Sequence, residues 1–242
     1  MIVLNIGCGV KTTSAPEVAH LDWSIYLIVK RNLLLRWLIW PFLSAQRRAA
    51  LESLPETIRA YDLRKGLPYA DNSVDAAYHS HFLEHLDREA APAFLRETLR
   101  ALRPGGVHRI VVPDWEALCR QYLQSLDACL SQPEDISTHE SKIAEMLEQS
   151  VRREPAGTSR QRPMLRWLEN RLLGDARKRG ETHQWAYDRV SLQALLKDVG
   201  FSQTRVVSYA ESQIPHWNDW GLDRNAEGGE YKPGSLYIEA IK

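Results

Sequence analysis

The chain has 242 residues, of which 44% are hydrophobic, and this is enough apolar material for one complete core. Its 31 basic and 31 acidic residues cancel, so no global positive field favours a nucleic-acid partner. Three cysteines, Cys8, Cys119 and Cys129, have no Cys-x-x-Cys spacing, which argues against a disulfide framework and, with no secretory signal, predicts a reducing, cytoplasmic setting.

The N-terminal residues predict a buried strand that ends in a glycine turn. Residues 2–6 are mostly β-branched or aliphatic, as expected for a parallel strand that is covered on both faces. Gly7, Cys8 and Gly9 follow directly, and a glycine backbone can approach a ligand where a Cβ atom would collide. Asp22 ends a second predicted strand, where a carboxylate can accept hydrogen bonds from a ribose diol. The pattern predicts a nucleotide-type cradle, although a tight structural turn would use the same glycines.

Residues 25–48 form an insertion after the second predicted strand. The segment is apolar, but Lys30, Arg31 and Arg36 interrupt it, so it is too broken to span a bilayer. The basic groups do not share one helical face, whereas the tryptophans and the lack of acids fit a membrane interface. Two interpretations stay open: a helix buried against the second insertion or a dimer partner, and peripheral contact with a membrane.

Four motifs follow one another along the first 115 residues. They are the Gly-x-Gly turn, an Asp-Asn-Ser-Val-Asp loop at 71–75, Leu-Glu-His at 83–85 and Leu-Arg-Pro-Gly-Gly at 102–106. A predicted strand joins the second motif to the third, and an amphipathic helix precedes the fourth. In this order and spacing the motifs resemble the class I S-adenosylmethionine-dependent methyltransferases, specifically the type 11 group, including bacterial members that accompany polysaccharide-building enzymes.

The resemblance implies a single Rossmann-like α/β domain over residues 1–242, with a mainly parallel seven-stranded sheet, helices on both faces and helical insertions. The insertions are residues 25–48 and residues 119–182, and the second stands where this fold commonly carries a substrate lid. The resemblance returns at residues 187–201, which look like the last helix before a closing pair of strands. It also implies that S-adenosyl-L-methionine is the cofactor.

By resemblance, the cofactor lies at the carboxyl ends of the strands. Gly7 and Gly9 would approach its methionine portion, Asp22 would hold the ribose hydroxyls, and Asp62 with the backbone around Leu63 would read the adenine amino group. Asp62 could instead cap a turn. The expected cofactor-contacting residues are Asn5, Gly7, Cys8, Gly9, Asp22, Asp62, Leu63 and His79. Cys8 is expected to be a small apolar filler and not a nucleophile, since no activating base is evident nearby.

Residues 10–13 depart from the resemblance, because the family usually places a third small residue after the glycine pair. The path of the backbone beneath the methionine tail is therefore open. The same departure counts against a dinucleotide oxidoreductase, whose fingerprint needs glycine or alanine at Thr12 for close helix packing. It also leaves open a cofactor-binding protein without turnover.

Three histidines are candidate catalytic residues. If the acceptor is a hydroxyl its proton must be removed, and His79, His81 and His183 are the candidates, with His81 favoured. The stretch around His183 could equally serve packing and capping. Residues 79–85 hold imidazoles and a carboxylate, but residues 84 and 85 should already turn away on a helix, so we predict no metal site.

The acceptor is predicted from two features late in the chain. Trp217 and Trp220 stand among Asn and Asp residues, which suits stacking on a sugar ring, or they could cover the hydrophobic edge of the sheet. A basic loop at 152–163 would meet a phosphate-bearing acceptor or simply be solvated. We predict O-methylation of a saccharide or lipid-linked glycan. The alternatives are a small-molecule or lipid O- or N-methyltransferase and a non-catalytic cofactor-binding protein, with a cytoplasmic location that is either free or membrane-peripheral.

Overall fold

A computed structural model describes residues 1–40, 45–131, 136–150 and 182–242, together with Pro163, Met164, Trp167 and Arg171. The strands are β1 (Val3–Ile6), β2 (Val18–Asp22), β3 (Arg59–Ala60), β4 (Val74–Ser80), β5 (Leu102–Pro113), β6 (Gln203–Val207) and β7 (Ser235–Ile241). The helices are α1 (Ile25–Arg31), α2 (Leu33–Ile39), α3 (Ala45–Ser53), α4 (Ala90–Ala101), α5 (Trp115–Ser131), α6 (Ile136–Gln149), α7 (Arg189–Val199) and α8 (Trp217–Trp220), with 3₁₀ turns at Leu63–Lys65 and Leu83–His85.

The seven strands form one sheet in the order β3-β2-β1-β4-β5-β7-β6. Strands β1 to β5 are parallel, and β7 runs antiparallel between β5 and β6. This confirms the predicted Rossmann-like, mainly parallel seven-stranded sheet. The chain builds β1, β2 and β3 outward and then returns across β1 to form β4. In such a sheet the carboxyl ends of the strands open a crevice where the order reverses, here between β1 and β4.

Helices α4 and α7 cover one face of the sheet. Leu95 of α4 and Leu192 of α7 are fully buried in a cluster that includes Ile110 of β5. Helix α7 begins at a capping box, because the carboxylate of Asp188 accepts from the amide N–H groups of the first turn. Gly200 ends the helix in the left-handed region at φ 117°, so the predicted last helix and its glycine stop are both present.

The opposite face is covered by the chain between β6 and β7, which includes α8. Trp217 and Trp220 are only 3% and 7% exposed, and the ring centroid of Trp217 lies 4.8 Å from that of Tyr78 on β4. The indole N–H of Trp217 donates to Asp223 at 3.1 Å. The prediction that these two tryptophans stack on a sugar is therefore wrong, because their ring faces are used against the sheet. The alternative, that they cover the sheet, is what the structure contains.

A buried ion network fixes this covering segment to the sheet. Arg109 on β5 is fully buried and pairs with Asp223 at 2.7 Å and with Glu239 at 2.9 Å. Its guanidinium also donates to the carbonyl oxygens of Ser208 and Glu211. Leaving one member of such a buried network without its partner typically costs about 3–5 kcal/mol. The network therefore holds residues 208–234 in the place where they close the crevice.

The two insertions contain helices in their described parts. Residues 25–48 include α1 and α2 and lead into α3, while α5 and α6 occupy the described beginning of residues 119–182. Helices α5 and α6 pack together, and the Ser125 hydroxyl lies 2.8 Å from Nδ1 of His139. Most of the predicted basic loop, residues 152–162, lies outside the described residues. Within the described ranges, no helix combines the length and the apolar character that crossing a membrane requires.

Candidate active site

The crevice at the carboxyl ends of β1 and β4 encloses a cavity of about 230 Å³. One wall is the glycine turn, Gly7 to Gly9, and the opposite wall is the end of β4 with Ser80 and His81. Tyr231 and Lys232 close it from the segment before β7. The cavity therefore lies where the topology predicts a ligand site.

The two glycines of the turn have different physical reasons to be glycine. Both have left-handed backbones, with φ +62° at Gly7 and +54° at Gly9. A Cβ atom on Gly7 would lie 2.3 Å from the ring of Phe82, whereas a Cβ on Gly9 would meet no atom within 4 Å. Gly7 is thus required by packing against the turn after β4. Gly9 borders open space, so its backbone can approach a ligand.

Side-chain hydrogen bonds hold residues 10–13, the stretch in which the family usually has a third small residue. The side-chain amide of Asn5 donates to the carbonyl oxygen of Lys11 at 2.9 Å, and it lies 3.1 Å from Nδ1 of His20. Nε2 of His20 lies 2.9 Å from the carbonyl oxygen of Thr13, and burial lowers the pKa of His20. A neutral His20 that accepts from Asn5 at Nδ1 and donates from Nε2 to the carbonyl oxygen of Thr13 satisfies these two contacts. The amide of Asn5 makes these hydrogen bonds within the protein, but Asn5 also lines the crevice, so its contact with the cofactor stays a prediction. The role of His20 was not predicted from the sequence.

Asp22 stands at the end of β2 beside the turn. Its carboxylate accepts from the amide N–H of Gly9 at 2.6 Å, and burial raises its pKa. Tyr61, at the end of β3, donates its N–H to the carbonyl oxygen of Asp22, which brings the third strand end alongside. A partly buried carboxylate with few donors gains from the arrival of hydroxyl donors. The geometry fits the ribose role, which stays a prediction.

Cys8 and Asp62 have simpler surroundings. Cys8 is buried with Leu27 and Ile58, and that burial raises the pKa of its thiol far above the usual value, so the thiol stays protonated and unreactive. Asp62 caps the turn that begins at Leu63, and both its oxygens accept from Arg64, which lowers the pKa of Asp62. The capping alternative thus describes Asp62 in this geometry. Its contact with adenine stays a prediction.

His79 does not line the crevice. It is fully buried, and its ring packs against Phe94 and His108 at centroid distances of 5.5 and 5.0 Å. Neither ring nitrogen has a hydrogen-bond partner among the described residues, and burial lowers the pKa of His79 to about 3. Side chains alternate along β4, so Tyr78 and Ser80 face the crevice and His79 faces the core. The prediction of His79 as a cofactor-binding or catalytic residue is therefore corrected.

His81 reaches the crevice because it leaves the strand in an unusual conformation. Its φ of +51° is in the left-handed region, while its N–H still donates to Val111 of β5 at 2.9 Å. Nε2 lies 2.9 Å from the hydroxyl of Ser235, and Nδ1 lies 3.4 Å from a carboxylate oxygen of Glu84. Burial, with nearby Lys232, lowers the pKa of His81 to about 3, so the imidazole is neutral.

A second cavity, of about 330 Å³, begins on the other side of His81. Its walls come from β5, from α5 and α6, and from the turn before β7. Gln121 of α5 and Lys142, Glu145 and Gln149 of α6 give it a polar lining. His81 lines both cavities, so it stands between them.

His183 meets the end of β4 from a distant part of the chain. Its ring centroid lies 4.8 Å from that of His85, and its Nδ1 lies 3.0 Å from the carbonyl oxygen of Gln149. It is not among the residues that line either cavity. The structure thus brings His81, Glu84, His85 and His183 together. Local spacing alone could not indicate this grouping.

Comparison with known proteins finds a family that is similar to part of the chain. A family model described as a methyltransferase domain matches residues 40–110, which span β3 and β4 and extend into β5. The glycine turn, which lines the crevice, and Asp22, which accepts from the N–H of Gly9, lie before the matched part. The match covers less than a third of the chain and agrees with the resemblance to the class I S-adenosylmethionine-dependent methyltransferases that the four motifs carry.

Solved methyltransferase structures from several organisms resemble the chain at low identity. One from Archaeoglobus fulgidus is 15% identical over 99% of this chain and 85% of its own (TM-score 0.42). One from Thermotoga maritima is 14% identical over 100% and 82% (TM-score 0.46), and one from Mesorhizobium loti 16% over 100% and 90% (TM-score 0.42). The chain spans only 52% of the length of another, from Nostoc punctiforme, at 14% identity and TM-score 0.43. No curated protein matches the chain.

Proposed function

We propose that the chain is a methyltransferase with S-adenosyl-L-methionine as its cofactor, and that it methylates a hydroxyl oxygen of a polar acceptor of the saccharide class, bound in the cavity between α5, α6 and the turn before β7. The position of His81 carries the proposal, since this residue lines both that cavity and the crevice at the ends of β1 and β4. Methyl transfer needs a nucleophile held opposite the leaving sulfur at near-attack distance. Two cavities that share one side chain suit such an alignment.

The crevice suits the cofactor in two respects. Gly9 borders open space that a Cβ atom would fill, and Asp22 presents a partly buried acceptor beside it. We propose that the turn holds the methionine portion, that Asp22 holds the ribose, and that the backbone after β3 meets the adenine. The cofactor supplies an electrophilic methyl group on a sulfonium, and the residues of the chain supply position and the removal of a proton.

His81 is the residue that we propose takes the proton of the acceptor hydroxyl. The Ser235 hydroxyl already lies 2.9 Å from Nε2, within the reach that proton transfer needs, so a hydroxyl fits at this nitrogen. In this geometry the Ser235 hydroxyl donates to the carbonyl oxygen of Lys232, so it accepts from Nε2. To act as the base, His81 would adopt its other tautomer, and the acceptor hydroxyl would displace the Ser235 side chain from Nε2. The imidazole is neutral because burial lowers its pKa, so it keeps a lone pair for the proton.

The polar lining of the second cavity supports a hydroxylated acceptor. Gln121 and Gln149 offer amide donors and acceptors, and Lys142 lies 2.9 Å from Glu145 and 3.3 Å from Gln121. Several such groups close together match the many hydroxyls of a saccharide. The support comes from this lining and no longer from the buried tryptophans. A free saccharide and a lipid-linked glycan share this chemistry.

A methyl-release assay over a panel of acceptors tests the proposal. We expect turnover with hydroxylated saccharides and little with amines or simple phenols. Gln121→Leu should raise the acceptor KM severalfold and leave cofactor affinity unchanged, because Gln121 lines the cavity. Gln124→Leu, at an exposed position of the same helix, is the matched control and should change neither. Turnover restricted to amines would contradict O-methylation, and cofactor binding without turnover on any acceptor would support the non-catalytic alternative.

We also propose that α2 rests on a membrane surface and presents the enzyme to a membrane-borne acceptor. Leu33, Leu34, Trp37 and Leu38 are 77%, 74%, 75% and 56% exposed, and together they form one apolar face of the helix. The basic residues near α2 contribute less attraction to a membrane surface than their number implies. Lys30 and Arg31 donate to backbone carbonyl oxygens within the protein.

Flotation with liposomes tests this contact. We expect binding to anionic liposomes that the double variant Leu34→Ser, Trp37→Ser abolishes, since apolar burial supplies most of the attraction. The matched control, Leu123→Ser with Leu130→Ser, alters two exposed leucines of α5 and should bind like the wild type. If the wild type does not bind liposomes, or if both double variants lose binding equally, the membrane proposal is wrong and α2 is better explained as a contact with protein.

A further inference from the structure

We infer that Glu84, His85 and His183 form a binding site for one divalent transition-metal ion of the zinc class. One ligand atom from each residue lies within 4.8 Å of the other two. The site stands beside the acceptor cavity and is separate from the residues proposed to hold the cofactor. It does not depend on the class of acceptor.

Glu84 is the first reason for this inference. Its side chain is 1% exposed, and neither carboxylate oxygen has a hydrogen-bond partner among the described residues. Its closest basic contacts are Nδ1 of His81 at 3.4 Å and Nε2 of His85 at 3.9 Å. A buried carboxylate without partners is costly, and a bound cation removes that cost. Lys232 is near enough to influence Glu84 electrostatically but makes no hydrogen bond to it.

The orientation of the two histidines is the second reason. Nδ1 of His85 lies 3.2 Å from the carbonyl oxygen of Thr182, and Nδ1 of His183 lies 3.0 Å from that of Gln149. A carbonyl oxygen can only accept, so each Nδ1 carries the proton and each Nε2 keeps its lone pair. Histidines that bind metals are held in this way, with the second ring nitrogen donating to a backbone carbonyl.

The three residues of the cluster therefore present acceptors to one another. Two imidazole lone pairs and one carboxylate converge, and this set of three protein ligands is one that zinc uses when a fourth position is left open. Imidazole nitrogen also suits copper, nickel and iron, whereas magnesium and calcium prefer oxygen ligands. Zinc bonds of about 2.1 Å place tetrahedral ligand atoms about 3.4 Å apart, so the side chains would close inward on binding.

A metal at this position would join two distant segments of the chain. Glu84 and His85 belong to the turn after β4, and His183 precedes α7; the backbone N–H of Gln184 already donates to the carbonyl oxygen of Glu84 at 2.7 Å. Through Gln149 the site also touches the end of α6, which lines the acceptor cavity. The ion would thus hold the wall of that cavity and the turn next to His81. We assign it a positioning role.

Metal analysis of the full chain tests the inference. After chelator treatment and zinc titration, we expect one saturable zinc per chain by calorimetry and by elemental analysis, with a rise in thermal midpoint. His85→Ala and His183→Ala should each weaken zinc binding at least tenfold and abolish that rise. His216→Ala is the matched control, since His216 is exposed and contacts only Asp219 among the ionisable groups of the described residues, and it should bind zinc like the wild type.

Glu84→Gln keeps the inference testable if a histidine variant fails to fold. The glutamine has nearly the same shape but no charge, so we expect a folded protein with weakened zinc binding. Absence of saturable binding to the wild type would overturn the inference. So would unchanged binding by Glu84→Gln together with His183→Ala, because the ion would then lie elsewhere.

Discussion

His81→Asn is expected to lower turnover on the true acceptor by about a hundredfold or more and to leave the affinity for S-adenosylmethionine nearly intact. Asparagine tolerates the left-handed backbone that His81 adopts at φ +51°, so the substitution removes the imidazole without adding strain. The loss should appear in kcat, because the residue is proposed to act on the acceptor proton. Steady-state kinetics with a cofactor titration on the same protein separate the two effects.

His79→Leu is the internal control for that prediction. His79 lies on β4, two residues before His81, but its side chain faces the core, so leucine should alter stability and leave the turnover of the folded enzyme near normal. Near-normal turnover of His81→Asn would mean that catalysis is positional only, or that the base is another group. An equal loss in His79→Leu would mean that the proposed geometry of the end of β4 is incorrect.

Asp22→Ala is expected to weaken cofactor binding by about 1–3 kcal/mol, because it removes the acceptor proposed for the ribose hydroxyls. It also removes the acceptor of the Gly9 N–H, which lies 2.6 Å from the carboxylate. Asp22→Asn keeps an oxygen for Gly9 and loses only the charge, so its effect should be smaller. Calorimetry with S-adenosylhomocysteine, with circular dichroism as the check on folding, measures both variants.

Asp219→Ala, at an exposed carboxylate on α8, is the matched control and should bind the cofactor like the wild type. An unchanged dissociation constant for a folded Asp22→Ala would remove Asp22 from the site. If cofactor affinity falls in Asp22→Ala but not in Asp22→Asn, the role of Asp22 is to hold the turn through the N–H of Gly9.

Features that depend on neighbouring residues could be predicted from the sequence. The aliphatic run and the glycines predict β1 and its turn, and both glycines have positive φ. Asp188 and Gly200 likewise mark the ends of α7, because caps act within one helical turn. The order of the motifs placed β1 and β4 in the sheet, and with them the crevice.

Features that depend on distant contacts could not be predicted in this way. Side chains alternate along a strand, so His79 and His81 would point to the same side if β4 continued through His81. The left-handed backbone at His81 changes the direction of its side chain instead. In the sequence Arg109 is a single charged residue in an apolar strand. Its partners, Asp223 and Glu239, lie more than a hundred residues further along the chain. The meeting of His183 with His85 depends on the same kind of long-range packing.

The most direct test of cofactor binding is a calorimetric titration of the wild-type chain with S-adenosylmethionine, repeated in the presence of excess NAD. We expect one saturable site per chain that NAD does not displace, because the stretch after Gly9 lacks the third small residue of a dinucleotide fingerprint. Gly9 lines the crevice, and Asp22 holds the N–H of Gly9. Absence of saturable binding, or displacement of the cofactor by NAD, would contradict the proposed cofactor site.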